Sequence, residues 1–295
     1  MAIVVKRRKG NKTYYYLKHS VRKNSRQKEI YLGKSIPANI EEIKQNFLLE
    51  FYREEWLPHL EKIRKSYTKE RKRMPESAID KQVEIFSISF TYNTQRIEGS
   101  TLTLKETADL LAEGITPSNK PMRDVKEAEA HQKIFFAILK YDRDLSLETV
   151  CIWHKKIFME TKPSIAGKIR DYEVGIRGSK IIPPKPEAIS LLLKVFFRWY
   201  TKNKRKLNPV ELSGLAHLKF VTIHPFGDGN GRISRLMMNY ILNRFGYPML
   251  DINYNERRSY YSALERSQTT QKDMIFLQWF MKRYIKSNRR YLEGR

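Results

Sequence analysis

The most informative part of the sequence is His224-Pro-Phe-Gly-Asp-Gly-Asn-Gly-Arg-Ile-Ser-Arg235, which places an imidazole, a carboxylate, glycines and two arginines close together. Upstream, Asn208-Pro209 and Glu211 are typical of a helix start, and an apolar helical face follows them. Downstream, residues 236–242 are heavily apolar and predict a second helix. The stretch is therefore predicted to be a helix–loop–helix whose loop opens at the N-terminus of the second helix.

The composition of this loop fits an anionic ligand. Gly229, Asn230 and Gly231 allow backbone torsions that turn successive N–H groups toward one point, and the helix start adds a partial positive charge there. Arg232 and Arg235 lie three apart on the second helix and can bring two guanidinium groups to a polyphosphate. The loop is therefore a candidate phosphate site.

Two further side chains add chemistry to that site. Asp228 is the candidate ligand of a divalent metal, since Mg²⁺ typically takes one or two protein carboxylates and completes its shell with substrate oxygens. His224, with an ordinary pKa near ~6.5, is the natural acceptor of a proton from an attacking hydroxyl. Taken singly, these residue types also fit a structural histidine, a plain turn and a solvated helix face. Their combination at one helix start favours an active site.

The pattern His-x-Phe-x-Asp-Gly-Asn-Gly-Arg-x-x-Arg resembles the complete signature of Fic domains, helical enzymes that mostly move AMP from ATP onto a hydroxyl side chain of a target protein. The glycine at the third position of Gly-Asn-Gly argues against the kinase-like branch of that family. The resemblance implies one role for each signature residue: a base at His224, a core anchor at Phe226, a ligand for Mg²⁺ (or Mn²⁺) at Asp228, and phosphate binding by Gly229, Asn230, Gly231, Arg232 and Arg235.

A second motif lies upstream, where residues 77–98 carry apolar positions at near-helical spacing and end in Thr94-Gln-Arg-Ile-Glu98-Gly99. Thr94 and Glu98 are four apart and share a helix face, and Gly99 predicts the helix stop. Alone, Glu98 also fits an ordinary acid near a helix end. The segment resembles the inhibitory motif of Fic proteins, Ser/Thr-x-x-x-Glu-Gly/Asn. That resemblance implies that Glu98 pairs with Arg235 and leaves ATP in an unproductive pose.

A hairpin is predicted between the two motifs. Residues 172–182 break the helical pattern with short apolar runs on either side of Gly178-Ser179. The resemblance implies that this hairpin is the flap, which lines the nucleotide site through Ile176, Arg177, Gly178 and Ser179 and aligns a target segment by strand addition. The alternative is an ordinary surface hairpin.

Two adjacent tyrosines are the remaining candidates at the nucleotide site. Tyr260 and Tyr261 lie where proteins of the family enclose the nucleotide base, so the resemblance implies that role here. Paired tyrosines on an amphipathic helix are otherwise more often core residues.

The N-terminal residues 1–38 differ from the rest, with eleven lysines and arginines against one acid, Glu29. Three short apolar runs separated by Gly10-Asn11 and Lys23-Asn24-Ser25 predict three antiparallel strands. Basic residues interleaved with tyrosines can hold nucleic acid through phosphate contacts and stacking. Because lysine and arginine are also abundant over 62–73 and 282–290, the charge equally fits solvated faces, an acidic target protein or steering of ATP. Nucleic acid is therefore not the favoured interpretation.

The composition limits the classes of protein to which the chain can belong. With 295 residues and 41% hydrophobic content, the chain can bury a sizeable core and form one main domain with a smaller piece. No apolar run approaches ~20 residues and the N-terminus lacks the apolar region of a signal peptide, so a cytoplasmic protein without a membrane partner is expected. The single Cys151 excludes an internal disulfide, and the six histidines show no zinc spacing.

The rest of the chain is predicted to be mostly helical. Residues 40–74 alternate apolar and charged positions at helical spacing, with a kink or break at Pro58. Thr103 and Glu106 form a capping box, and Gly114 ends that helix. Further helices are expected over 123–141, 147–159, 186–203, 257–267 and 271–289.

The predicted fold class is mainly α: a Fic-type helical core with a β-hairpin flap, plus a small N-terminal antiparallel β module. We expect a basic β-rich module at 1–38, a helical connector at 39–74 and a Fic domain at 75–290 whose inhibitory helix is 77–99. The implied activity is autoinhibited transfer of AMP from ATP to a Ser, Thr or Tyr hydroxyl of a target protein, or the reverse de-AMPylation. The alternative is a nucleotide-sensing core on a nucleic-acid-binding regulator. Fic relatives often pair, so a homodimer is a further expectation.

Overall fold

The computed structural model describes residues 2–21, 26–176 and 178–293. The chain divides into two compact units, Met1–His59 and Leu60–Arg295, and the division falls inside one long helix. No helix in the described ranges combines the length and the apolar character that crossing a membrane requires.

The first unit contains an antiparallel sheet in the order β1-β2-β3. Its strands are β1 (Ile3–Lys9), β2 (Lys12–Val21) and β3 (Arg26–Gly33), so the three predicted strands are confirmed. Gly10 adopts a positive φ of 60° in the first turn, as a tight hairpin requires. The second predicted turn, at 23–25, lies outside the described residues.

One face of this sheet packs on the start of α1 (Ile40–Arg73). Leu17 and Phe47 are 0% and 2% exposed there and form a small core with Ala2. α1 continues through Pro58 in its interior, so of the two predicted alternatives, a kink or a break, the break is wrong. A proline removes one N–H from the helix ladder, and Trp56 and Leu60 on either side of it are buried.

The second unit is helical and confirms the helices predicted from the sequence. Their bounds are α2 (Glu76–Ile97), α3 (Leu104–Glu113), α4 (Met122–Leu139), α5 (Leu147–Phe158), α6 (Pro186–Asn203), α7 (Pro209–Ile223), α8 (Asn230–Arg244), α9 (Arg257–Thr270) and α10 (Asp273–Ser287).

The helix signals read from the sequence are formed in the structure. Thr103 and Glu106 make the reciprocal capping box of α3, and Gly114 ends that helix with a φ of 72°. The Asn208 side chain accepts a hydrogen bond from the Val210 amide, and Pro209 occupies the first turn of α7. These caps fix where the helices around the site begin and end.

The core of this unit is built around α7 and α8. Helix α8 is buried nearly all round, with Ile233, Leu236, Met237 and Ile241 at 0% exposure. A helix that is buried on nearly all sides is in contact with its neighbours throughout its length. The loop between α7 and α8 is therefore attached to a deeply buried helix.

The predicted hairpin at 172–182 is not formed by the described residues 172–176 and 178–182, which contain no strand. A turn is present, since the Ser179 amide donates to the Ile176 carbonyl at 3.1 Å. The next amides donate to side chains instead of a partner strand: Lys180 to Glu265 Oε1 and Ile181 to Ser179 Oγ, both at 3.1 Å. Two prolines follow and offer no N–H. The backbone donors that a hairpin needs are thus used elsewhere or missing.

Candidate active site

The imidazole of His224 is positioned by the end of α7. His224 adopts a left-handed backbone conformation, with φ 52° and ψ 56°, which few residues other than glycine take, and its amide donates to the Phe220 carbonyl. Nδ1 lies 3.2 Å from the Val221 carbonyl. Because a carbonyl can only accept, Nδ1 carries the proton in this contact. In the neutral ring Nε2 therefore keeps its lone pair and can act as a base.

The surroundings keep this ring neutral. Burial lowers the pKa of His224 below its ordinary value of 6.5, and the charge of Arg170 acts in the same direction. The Val221 hydrogen bond and the carboxylates of Glu98 and Asp228 oppose that shift without reversing it. A proton acceptor near neutral pH is what general-base chemistry requires.

Arg170 is a residue that the sequence reading missed. It is 3% exposed and donates to three carbonyls: Nε to His224 at 2.8 Å, Nη1 to Tyr172 at 2.8 Å and Nη2 to Pro184 at 2.6 Å. It thus fixes the backbone of the base to the segment that follows α5. No motif surrounds it in the sequence, because its partners are carbonyls, which every residue has.

Phe226 anchors the loop after His224 in the core. Its ring is fully buried and stacks on His154 at a centroid distance of 3.8 Å. The Asn230 side chain closes the loop by accepting from the Phe226 amide and donating to the Phe226 carbonyl, at 2.9 and 2.8 Å. The side chain of Asn230 therefore shapes the loop, and only its backbone N–H remains for a ligand.

His154 supports the same loop and was also missed. The Gly167 amide donates to its Nδ1 at 2.8 Å, so Nε2 carries the proton and donates to the Asp228 carbonyl at 3.0 Å. Burial lowers the pKa of His154 to about 4, which keeps the ring in this neutral form. Two neutral histidines therefore brace opposite ends of the loop.

Two glycines lie at the start of α8, of which Gly229 is required by the backbone and Gly231 leaves space for Glu98. Gly229 has a φ of 78°, and a Cβ there would stand 2.4 Å from the Phe158 ring. A Cβ on Gly231 would stand 2.2 Å from Glu98 Oε1. The first-turn amides of α8 have no partner within the helix and carry its positive end, so this is where an anion is favoured. The Glu98 carboxylate comes directly against that surface.

Asp228 faces two cations. Its carboxylate lies 2.6 Å from Lys162 Nζ and 3.3 Å from Arg232 Nη2, and it accepts the Gly229 amide. Burial acts to raise its pKa, but Arg232, Lys162 and the amide outweigh it and hold the pKa well below the usual range. Asp228 is therefore an anion, and its side chain is 41% exposed.

These properties fit a hard divalent cation. The described ranges contain no group of three or more His, Cys, Asp or Glu side chains placed to hold a metal ion. One exposed carboxylate matches the way Mg²⁺ is usually held, with most of its shell supplied by water and substrate oxygens. Lys162 Nζ lies between the carboxylates of Asp228 and Glu127, 2.9 Å from Glu127 Oε1. Its ammonium supplies the positive charge beside Asp228.

Arg232 lies deeper than the sequence suggested. It is 3% exposed and pairs with Glu127 and, at 3.2 Å, with Gln95. Its Nη2 reaches Asp228, and the residues around these charges enclose a polar cavity of about 90 Å³. Drug-sized ligands occupy pockets of roughly 300–1,000 Å³, so the cavity alone takes a group of phosphate size.

Arg235 is held by the end of α2. It is 1% exposed; Nε donates to Thr94 Oγ1 at 2.7 Å and Nη2 donates to Glu98 Oε1 at 2.6 Å. Burial acts to lower its pKa, but the Glu98 carboxylate outweighs that effect and raises it. Glu98 follows the last residue of α2, and Gly99 takes a φ of 97° directly after it, as the predicted helix stop requires.

The two tyrosines of α9 have different surroundings. Tyr260 is 1% exposed; its hydroxyl accepts from Arg235 Nη1 at 3.3 Å and lies 2.9 Å from His217 Nε2. It is therefore a core residue behind Arg235, which corrects the expectation that it faces a nucleotide. Tyr261 is 43% exposed, and its hydroxyl donates to the Ile97 carbonyl at 3.2 Å.

The segment expected to be the flap reaches the loop through Tyr172. A Cβ on Gly227 would stand 2.1 Å from the Tyr172 hydroxyl. Ile176, Gly178 and Ser179 form the turn described above, and no described contact joins them to the loop. Arg177, expected to line the site with them, lies outside the described residues.

Residues 144–242 match the Fic/DOC family, so this part of the chain is similar to a Fic domain. It is 35% identical over 178 residues to the protein adenylyltransferase Fic of Drosophila melanogaster, an alignment that covers 59% of this chain and 36% of the relative. It is 31% identical over 181 residues to the protein of the same name from Nematostella vectensis, covering 60% of this chain and 42% of the relative. The chain thus spans well under half the length of the curated relatives it matches.

Solved structures share the fold. A Fic domain containing signaling protein from Bacteroides thetaiotaomicron is similar with a TM-score of 0.71 and 25% identity, over 80% of this chain and 97% of that one. Fic-1 from C. elegans is similar with a TM-score of 0.70 and 25% identity, over 87% of this chain and 77% of that one. The helical Fic fold inferred from the signature is confirmed.

Proposed function

We propose that this chain is a protein adenylyltransferase that its own Glu98 holds inactive. The observation that carries the proposal is the position of Arg235, a buried guanidinium at the start of α8 whose anionic partner is Glu98. The curated relatives named above are protein adenylyltransferases. The substrates of this chain would be ATP and a protein bearing a Ser, Thr or Tyr hydroxyl.

The reaction follows from His224. Its Nε2 takes the proton of the target hydroxyl as the hydroxyl oxygen bonds to the α-phosphorus of ATP. The bond from that phosphorus to the bridging oxygen breaks, and pyrophosphate leaves. The products are the AMP-modified protein and pyrophosphate. Holding the reacting atoms in line and neutralising charge would supply most of the rate.

Phosphate binding falls to the amides at the start of α8 and to the arginines beside them. Gly231 has no side chain of its own to cover the N–H groups of this helix start, against which the Glu98 carboxylate lies, and Arg235 supplies a positive charge. Asp228 would hold Mg²⁺, which neutralises phosphate oxygens when bound. Lys162 would have to leave Asp228 for that ion to enter, because both are cations for the same carboxylate.

Inhibition is explained by competition for Arg235. The Glu98 carboxylate lies at the position where a phosphate oxygen would meet the same guanidinium, against the missing side chain of Gly231. Removing one partner of a buried ion pair costs about 3–5 kcal/mol, so a nucleotide must replace that interaction to bind in a productive pose. Thr94 adds a second contact that keeps the guanidinium turned toward Glu98.

The test uses ATP labelled at the α-phosphate. We expect Glu98→Gly to label itself or a protein of a cell lysate in the presence of Mg²⁺, and the double variant Glu98→Gly/His224→Ala to lose the label. The matched control is Glu160→Gly, which removes a carboxylate whose side chain is 72% exposed. It should stay as inactive as the unmodified chain.

The position of the label decides the reaction class. ATP labelled at the γ-phosphate should transfer nothing, because pyrophosphate carries that phosphorus away. Labelling from the γ-position would show a kinase instead. No labelling by Glu98→Gly under varied nucleotides and metals would contradict the transferase.

The same residues also fit the reverse reaction. Glu98 can hold a water that removes AMP from a modified protein, and in that direction it would be required for activity. The unmodified chain would then release AMP from a protein labelled by Glu98→Gly, and Glu98→Gly itself would not. Mass spectrometry of the labelled protein identifies the acceptor in both cases.

A further inference from the structure

The outer face of the N-terminal sheet, defined as Arg7, Lys9, Lys12, Tyr14, Tyr16, Lys18 and Tyr31, has no part in the site described above. Residues directly opposite each other in an antiparallel pair lie on the same face of the sheet. Arg7 is opposite Tyr14, Lys9 is opposite Lys12, and Tyr16 is opposite Tyr31. The register therefore gathers the aromatic and basic side chains of three strands on one surface.

The other face of the sheet is the one that is buried. Val4 is opposite Leu17 and Leu17 is opposite Ile30, and all three belong to the small core around Phe47 of α1. The alternation of strands then turns Tyr14, Tyr16 and Tyr31 away from that core. Core packing does not explain why three aromatic residues occupy the outer face.

The three tyrosines form one cluster. The Tyr31 ring lies 5.3 Å from Tyr16 and 6.2 Å from Tyr14, measured between centroids. Tyr31 is 55% exposed, and the Arg7 guanidinium lies 4.6 Å from the centre of the Tyr16 ring. An exposed ring in contact with two half-buried rings, one of them beside a guanidinium, offers a surface on which nucleic-acid bases can stack.

Charge on this face is one-sided. Glu29 is the single acid there, and it pairs with Arg7 at 2.7 Å. Lys9 and Lys12 are exposed and directly opposite each other at the hairpin turn. Like charges in such a pair destabilise a sheet, and a bound anion would relieve that repulsion. The tyrosines are thus bordered by cations suited to a phosphate backbone.

We propose that the outer face of the N-terminal sheet binds single-stranded nucleic acid. Bases stack on the tyrosine cluster, with Tyr31 as the exposed ring, and Arg7, Lys9, Lys12 and Lys18 contact phosphates. A single strand is the form that fits, because its bases are free to leave their neighbours and lie on aromatic rings, whereas a duplex keeps them inside. The binding does not depend on the transferase chemistry.

The test is fluorescence anisotropy of the full chain with labelled RNA and DNA strands of about 20 nucleotides, longer than one site of ~4–16 nucleotides. Tyr31→Leu should weaken binding about tenfold, in line with the stacking of one base, while Tyr31→Phe should stay within about twofold of the unmodified chain. Equal binding by Tyr31→Leu and Tyr31→Phe would overturn the proposal.

Salt dependence tests the phosphate contacts. Each contact to a single strand contributes roughly 0.7 to the slope of log affinity against log salt, so Lys9→Gln/Lys12→Gln should reduce that slope by about 1.4. The matched control is Lys202→Gln/Lys206→Gln, which removes the same charge from exposed positions near the end of α6. If the control loses as much slope, the affinity comes from net charge alone and the proposal is wrong.

Further measurements exclude other partners and distinguish this proposal from the proposed transferase activity. If a duplex of the same sequence competes better than the single strand, the partner is double-stranded DNA and the proposal is overturned. If polyglutamate competes better, the partner is an acidic protein and the proposal is likewise overturned. His224→Ala should bind the strand as the unmodified chain does. A failed labelling experiment therefore leaves this inference standing, and a failed binding experiment leaves the transferase standing.

Discussion

Two carboxylates in different regions show how the molecule uses charge. Glu127, beneath the loop, pairs with Arg232 and Lys162, and its side chain is 6% exposed. Glu54, in the N-terminal unit, pairs with Arg26 and Lys28, and its side chain is 52% exposed. Each carboxylate pairs with one arginine and one lysine, but only the carboxylate of Glu127 is shielded from water.

The difference decides what each charge can do. A shielded ion pair is strong, directional and costly to break, while an exposed one is weakened by water and salt. The buried charges at the loop therefore fix the positions of the side chains around it. The exposed charges of the sheet form a broad positive surface. Its attraction for anions weakens as the ionic strength rises.

The largest expected effect is the loss of Glu127. Glu127→Ala removes the more buried of the two carboxylates that pair with Arg232 and leaves only Asp228, so we expect the free energy of unfolding to fall by about 3 kcal/mol. Urea unfolding followed by tryptophan fluorescence measures it. Glu54→Ala is the matched control and should unfold at nearly the same urea concentration as the unmodified chain. Equal losses in both variants would break the comparison.

An intermediate effect is expected at Lys162, whose ammonium lies 2.6 Å from the Asp228 carboxylate. Lys162→Met removes the cation that competes for that carboxylate, so Mn²⁺ should bind about tenfold more tightly, a change of ~1.4 kcal/mol. Electron paramagnetic resonance of free Mn²⁺ measures the affinity without any turnover.

The control for this prediction is Lys126→Met, which removes a lysine paired with Glu160 at the surface. It should leave the affinity for Mn²⁺ unchanged. Weaker binding by Lys162→Met than by this control would show that Lys162 supports the metal instead of competing with it.

The smallest expected effect is a displaced pH profile. Because burial lowers the pKa of His224 below 6.5, the base stays unprotonated and active at neutral pH, and activity is lost only as the pH falls below that value. The acid limb of kcat/KM for Glu98→Gly should therefore have its midpoint below 6.5. A midpoint above 6.5 would mean that nearby carboxylates, and not burial, control the ring.

Much of the fold was predictable because residues close together in the sequence determine where its helices begin and end. The capping box at Thr103 and Glu106, the proline of α7 and the glycine after Glu98 each set a helix end through residues within a few positions. The pairing of Glu98 with Arg235, implied by the family resemblance, is present in the structure at 2.6 Å.

Other parts were out of reach because their partners are distant in sequence. Glu127, His154, Lys162 and Arg170 surround the loop, yet no fixed spacing relates them to it. The hairpin prediction at 172–182 was wrong for the same reason, since the Lys180 amide donates to Glu265, 85 residues away. Tyr260 was assigned to a ligand, although its hydroxyl contacts Arg235 and His217 inside the core.

One consequence follows from the place of Glu98 at the end of α2. It is the first residue beyond the helix, where its own amide donates to the Gln95 carbonyl and the Gly99 amide donates to the Arg96 carbonyl. Each residue of an α-helix turns its side chain by about 100°, so lengthening α2 by a single residue would swing the carboxylate to another side. Under the proposed inhibition, the length of that helix would determine whether Glu98 reaches Arg235. A change that winds or frays the last turn of α2 would then shift the fraction of molecules that bind nucleotide productively.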